Sequence, residues 1–262
     1  MTRDPSCAWR VTMSHLKGSA ATLAHSVRVY HGNAERNQAM DRLYARFLQA
    51  GDLAFDIGAH VGDRTSSFRR IGARVVALEP QPGPARVIRL LHGLDPHVTL
   101  LQAAAGGCEE EIVLHVNTAN PTVSTASAAF VCAADGARGW EGQVWDETMT
   151  VPCLTLDSLI RAHGRPQFIK IDVEGFEEHV LCGLSEPVPA LSFEFTTIAR
   201  TVAQRCMGRL STLGPYRFDV ALGETQHLTF GRWIEASEMA AHLAALPHAA
   251  NSGDVYAVLA QF

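Results

Sequence analysis

No stretch of the chain approaches the roughly 18 uncharged apolar residues that a membrane-spanning helix needs. Arg3, Asp4 and Arg10 at the start are not followed by the apolar run of a secretory leader. The expectation is a protein without membrane contact, working in the cytoplasm. Cysteine is sparse and poorly spaced for chemistry. The six residues Cys7, Cys108, Cys132, Cys153, Cys182 and Cys206 form no C-x-x-C pair. That argues against a zinc ribbon, a redox pair or a disulfide framework, and they read as reduced thiols buried among small and apolar neighbours. Charge is modest too. Against 27 acidic residues stand 22 Lys and Arg, a net −5, so overall charge supplies no drive toward nucleic acid. With 47% hydrophobic and 19% charged residues, the 262-residue chain is too apolar for disorder and long enough to bury a core.

Residues 1–32 show weak periodicity and read as a loosely attached N-terminal arm. Residues 33–262 read as a single domain without an internal repeat or linker. Asn33 to Ala50 is helical, with Met40, Leu43, Tyr44, Phe47 and Leu48 at three- and four-residue spacings and Gly51 as a stop. Apolar strands then alternate with amphipathic helices. The strands are Leu53 to Gly58, Ala73 to Pro80 and His97 to Ala105; the helices are Gly62 to Ile71 and Pro84 to Leu91. Later strands fall at Gln167 to Gly175, Pro189 to Thr196, Tyr216 to Leu222 and Asp254 to Ala260, and helices at Thr155 to His163, Phe176 to Leu184, Ile198 to Leu213 and Ala236 to Leu246. This rhythm predicts an α/β fold: a doubly wound, mostly parallel, seven-stranded Rossmann-like sheet with helices on both faces and its last two strands as an antiparallel edge. An inserted pair of strands, Glu110 to Asn117 and Thr148 to Leu156, brackets a loop at 118–147. Phe130, Trp140 and Trp145 make that loop read as a substrate-side flap, with packing on the sheet edge as the alternative.

The turn after the first strand, Asp56-Ile57-Gly58-Ala59-His60-Val61-Gly62, lacks the second glycine of G-x-G-x-x-G. That glycine lets a backbone approach a pyrophosphate. An acid beside the turn repels phosphate and attracts an ammonium group. The pattern therefore favours S-adenosylmethionine, which carries an ammonium, a sulfonium and no phosphate. Glu79 ends the second strand, 21 residues past Gly58, where a carboxylate can accept hydrogen bonds from both ribose hydroxyls.

Lys170-Ile171-Asp172-Val173-Glu174-Gly175 carries a lysine inside a central strand. Such a lysine needs a partner, and alternation in Leu191 to Phe195 makes Glu194 the expected one. Asp172 and Glu174 fall at the carboxyl end of the strand, where open α/β folds build their sites; a structural ion-pair network is the alternative. Oxygen chemistry at Asp172, Glu174 and Glu194 suits a hard cation, but local spacing fixes no third ligand, so no metal is expected.

Taken together, DIGAHVG, the Glu79-Pro80 strand end, LTLDSL at Leu154 to Leu159, KIDVEG and LSFEF resemble, in order and spacing, the FkbM family of methyltransferases. The resemblance covers about Leu53 to Thr196. It implies the class I S-adenosylmethionine-dependent fold and O-methylation of a hydroxyl on a sugar, polyketide or other secondary metabolite. By position it puts Asp56, Gly58, His60 and Gly62 around the cofactor, with Glu79 on the ribose and Ala104 and Ala105 facing the adenine. Asp172 and Glu174 border the reacting atoms. Asp172, Glu174 and His60 are the candidate bases. Two other readings stay open: a catalytically silent cofactor-binding module, and an NAD(P)-dependent oxidoreductase. The second is disfavoured by the missing glycine and by the absence of any Tyr-x-x-x-Lys pair. The expected partner is a small hydroxylated acceptor; nothing in the sequence fixes the oligomeric state.

Overall fold

The structure is a computed structural model that describes residues 13–260, with side chains from residue 22 onward. In chain order its elements begin with α1 (Met13–His31), α2 (Ala34–Tyr44), β1 (Leu53–Ile57), α3 (Asp63–Ile71), β2 (Arg74–Leu78) and α4 (Pro82–His92). There follow β3 (Val98–Leu101), β4 (Ala104–Ala105), β5 (Glu110–Val116), α5 (Ala128–Ala134), β6 (Glu147–Leu154), α6 (Leu156–His163) and β7 (Phe168–Ile171). The last are α7 (Glu177–Cys182), β8 (Ala190–Thr196), α8 (Arg200–Leu213), β9 (Tyr216–Leu222), α9 (Ala236–Ala245) and β10 (Ser252–Leu259).

Seven strands form one sheet in the order β3-β2-β1-β7-β8-β10-β9. The pairs among β3, β2, β1, β7 and β8 are parallel, and β10 runs antiparallel between β8 and β9. This is the doubly wound sheet read from the sequence. Strands β1 and β7 are buried along their whole length, which is why they read as unbroken apolar runs. One core face gathers Phe55, Ile57, Ile169, Ile171, Leu191 and Phe193. The other stacks Tyr44, Phe68, Phe168 and Tyr256. Because β1 lies between β2 and β7, the chain order reverses there. The crevice that opens at this reversal is where such sheets hold their ligands.

Local signals set most boundaries. Thr155 caps α6 in a reciprocal capping box with Ser158. Gly72, at φ 96°, ends α3 in the left-handed conformation that glycine adopts without steric cost.

Two departures bear on the site. The stretch expected as one strand from His97 to Ala105 divides at Leu101. Ala104 and Ala105 leave the main sheet and pair with Cys153 and Leu154 of β6, making a three-stranded sheet with β5. Second, residues 13–31, expected to belong to a loose arm, form a helix that packs on α4. His31 Nε2 lies 2.9 Å from the Val61 carbonyl oxygen, which ties this helix to the turn after β1; residues 1–12 of the expected arm lie outside the described residues. Nor are the thiols uniformly buried. Cys153 and Cys206 are, whereas Cys108, Cys132 and Cys182 are exposed; Cys7 lies outside the described residues. Among the described residues no helix is long and apolar enough to cross a membrane.

Candidate active site

A cleft of about 360 Å³ opens at the carboxyl ends of β1, β2 and β7. Asp56, Gly58, His60, Glu79, Ala104, Ala105, Asp172 and Glu174 all line it. Gly62 does not. It caps the start of α3 at φ 78° and packs against Ile88, so its part is to shape the turn from behind.

The first wall is the turn after β1. The Gly58 and Ala59 amides donate to the Leu78 carbonyl at 3.0 and 2.9 Å, locking the turn onto the end of β2. Gly58 has φ 79°, and a Cβ there would stand 1.8 Å from the Asp172 carbonyl oxygen. Only glycine lets the turn lie against the end of β7. Glu79 is 3% exposed. Its Oε2 accepts from the His60 amide at 2.9 Å and its Oε1 from the Gln81 amide at 2.8 Å. Each oxygen keeps a second lone pair for a ligand hydroxyl. Burial pushes this carboxyl up to about 8 despite those two bonds. Asp56 is buried as well and rises to about 6 through desolvation, partly offset by the 2.5 Å hydrogen bond from Thr65 Oγ1. His60 adopts φ 46° and meets Tyr30 of α1 edge to face. Burial lowers its pKa, which leaves the ring neutral near pH 7.

The opposite wall is acidic. Lys170, 1% exposed, bonds Asp172 Oδ2 at 3.0 Å and Asp254 Oδ1 at 2.7 Å. The expected Lys170–Glu194 pair is therefore replaced. Lys170 lies opposite Ser192, whose small, fully buried side chain leaves room for the ammonium to reach β10 beyond it. Glu194 turns instead toward the cleft. One oxygen each from Asp172, Glu174 and Glu194 lie within 4.8 Å of one another. Burial first, and then the neighbouring acids, push both Glu174 and Glu194 above the carboxylate range. Glu174 sits at φ 55° in a turn held by Glu177, whose Oε1 accepts from the Val173 and Gly175 amides.

The segment after β5 closes one side. Val123, Phe130, Ala134 and Trp140 form a small core of their own. The Gln81 amide Nε2 donates to the Pro121 carbonyl and Thr125 Oγ1 to the Glu174 carbonyl, at 3.0 and 2.7 Å. Thr122, Ser124 and Trp140 face the cleft. The only Lys and Arg side chains among the described lining residues, Lys170 and Arg64, are both committed to ion pairs, Arg64 with Asp63 and Glu224. Arg36 joins that second network, and Asp63, though buried, is held near 2 by Arg64 and Arg36.

Tyr30, Asp254 and Glu224 escape a reading of local motifs because they come from distant elements. Asp254 did leave a signal: an acid that alternates with apolar residues on a strand needs a buried partner.

A family model described as Methyltransferase FkbM domain matches residues 56–240. The chain belongs to the FkbM methyltransferase family. The match takes in the turn, Glu79, the insertion and, of the acidic wall, Lys170, Asp172, Glu174 and Glu194, while Asp254 lies beyond it. No curated protein matches the chain. Distant likenesses occur among solved structures. A TehB-like SAM-dependent methyltransferase from Corynebacterium glutamicum is 9% identical, with 94% of this chain and 99% of that one covered and a TM-score of 0.47. An O-methyltransferase from Bacillus cereus in complex with SAH is 11% identical, with 97% and 94% covered and a TM-score of 0.46. The precorrin-6y C5,15-methyltransferase of Geobacter metallireducens is 15% identical over 86% and 87%, with a TM-score of 0.42. The family match alone carries the assignment of this FkbM-family chain.

Proposed function

We propose that this methyltransferase uses S-adenosylmethionine to methylate a hydroxyl group of a small acceptor such as a sugar or polyketide. The observation that carries the reading is a cleft lined by oxygen acceptors with no uncommitted Lys or Arg among its described lining residues. Its two basic side chains are spent on ion pairs, while Asp56, Glu79, Asp172 and Glu174 face inward. A pyrophosphate finds no free cation there, whereas ammonium and ribose hydroxyls find acceptors. When bound, S-adenosylmethionine supplies a methyl group already activated by its sulfonium.

The chain's own residues then have distinct work. Gly58 lets the turn lie flat against β7, Asp56 lies beside the methionine end, and Glu79 receives the ribose hydroxyls through the lone pairs left by the His60 and Gln81 amides. Ala104 and Ala105 flank the adenine with small side chains. Lys170 holds Asp172 Oδ2, which leaves Oδ1 to take the acceptor's proton. Glu174 borders the same space. The insertion at 118–147 covers the acceptor side through Thr122 and Trp140. A displacement of this kind gains chiefly from alignment, with a base contributing at the proton.

Calorimetry with S-adenosylhomocysteine should give saturable binding, with none for NADH. Label transfer from methyl-labelled S-adenosylmethionine to a panel of hydroxylated sugars and polyketides should identify an acceptor. On it, Asp172→Asn should lower turnover about 10²–10⁴-fold with little change in S-adenosylhomocysteine affinity. Tighter binding of NADH overturns the cofactor, and full turnover in the Asp172 variant overturns the base.

A further inference from the structure

We infer that Asp172, Glu174 and Glu194 form a binding site for one hard divalent cation, Mg²⁺ or Mn²⁺, on the acceptor side of the cleft. Three carboxylate oxygens gathered within 4.8 Å have the spacing of a metal's ligands. Oxygens at about 2.1–2.4 Å from a shared cation stand roughly 3–4.8 Å apart. An all-oxygen set without His or Cys selects a hard ion.

Proximity of acids alone does not make such a site. Two further observations point to a ligand. The Glu174 residue is only 8% exposed, lines the cleft, and its carboxylate makes no hydrogen bond or ion pair among the described residues. The Glu194 atom Oε2 is fully enclosed and also lacks a partner. Buried acids without a hydrogen-bond donor are neutralised by a proton or by a cation, and the lysine beside them is taken, since Lys170 is shared by Asp172 and Asp254; a cation entering the cleft would replace the protons on Glu174 and Glu194. The main chain puts Glu174 there at some cost. Its left-handed φ of 55° is unusual for a residue with a side chain and is retained by the amide bonds to Glu177 and by Thr125 on its carbonyl. That backbone directs the Glu174 side chain to the place where Glu194 arrives from β8.

A cation held by three protein oxygens keeps positions for water or an acceptor hydroxyl. A hydroxyl on such an ion is acidified and fixed in direction, which lowers the demand for a separate base. That use of the ion rests on the methyl-transfer reading above; the binding of the ion does not.

The test is a titration of the chelator-stripped full chain with Mn²⁺ alone, following the free-ion resonance by electron paramagnetic resonance. S-adenosylhomocysteine affinity is measured in parallel. The expected result is one Mn²⁺ per chain, displaced by Mg²⁺, with affinity lowered at least tenfold in Glu194→Gln. Glu174→Gln should behave alike and serves if Glu194→Gln fails to fold. Glu110→Gln, on an exposed part of β5, should change nothing. No Mn²⁺ bound below about millimolar concentration, or equal affinity in both cleft variants, overturns the site. If S-adenosylhomocysteine binds and Mn²⁺ does not, the cation site fails and the cofactor reading stands; the reverse result leaves the cation site and removes the cofactor.

Discussion

The two walls of the cleft are put together differently. The first wall, built from the turn Asp56 to Gly62 with Glu79, is almost entirely local. Glycines set its turns, main-chain amides bond to Leu78 and Glu79, and the residues involved come from two consecutive strands. The acidic wall draws on β7, β8 and β10 together: Lys170, Asp172, Glu194 and Asp254 meet there from different parts of the chain, and the lysine is shared by Asp172 and Asp254 alone. One wall depends on backbone geometry and tolerates little change of shape. The other depends on one buried cation shared between two acids and tolerates little change of charge count.

The sharpest probe of this contrast is the point where the walls touch. Gly58→Ala places a methyl group 1.8 Å from the Asp172 carbonyl oxygen in a left-handed turn. Neither backbone can yield without unpairing β1 from β7. Stability should fall by on the order of 4 kcal/mol or more, read by denaturant melts, with S-adenosylhomocysteine binding lost. A variant that keeps both would show that the turn is looser than its bonds imply.

Next in size is a change of charge count. Lys170→Met conserves length but strands Asp172 and Asp254 without their cation. A broken buried ion pair costs about 3–5 kcal/mol. Adding Asp254→Asn should recover part of that loss, because it removes one of the stranded charges. Equal stability of the single and double variants would mean that the Asp254 contact contributes nothing.

The first wall carries its own electrostatic signature. Burial raises Glu79 from 4.5 to about 8. Because the folded value exceeds the unfolded one, its contribution to stability is complete below about pH 4.5 and is lost as pH rises through about 8. Glu79→Gln cannot ionise. The wild type should therefore lose a few kcal/mol relative to this variant between pH 5 and pH 9, under a ceiling of about 5 kcal/mol. Thermal melts across that range measure it, and parallel curves would mean that Glu79 is better solvated than its 3% exposure indicates.

The smallest effect belongs to a feature that lines neither wall. Thr155→Ala removes the capping box of α6 and should cost about 1 kcal/mol without altering S-adenosylhomocysteine affinity.

Much of the fold was legible because its signals are local. Apolar runs of five or so residues separated by amphipathic helices specify parallel strands covered on both faces, and Thr155, Gly72 and Gly93 mark helix ends in the sequence itself. The glycine turn and Glu79 were legible for the same reason. What local pattern missed was pairing at long range. The register that sets Lys170 against Ser192, and Glu194 against Asp254, is decided by how β8 and β10 slot into the sheet. Alternation identified Lys170 as a residue in need of a partner but pointed to Glu194, whereas the ammonium bonds Asp254 of β10 and Asp172.

The amino-acid order by itself thus determined the α/β architecture, the family motifs and the glycine turn that lines the cleft, since each follows from side-chain periodicity or from backbone freedom at single positions. Only the tertiary structure decided that Asp254 neutralises Lys170, that Glu194 is released toward Asp172 and Glu174, and that Tyr30 of α1 stands over His60. Those outcomes depend on which buried charges lie within a few ångströms of one another. Contacts of that kind are fixed by strand register and helix docking, and the spacing of residues along the chain does not encode them.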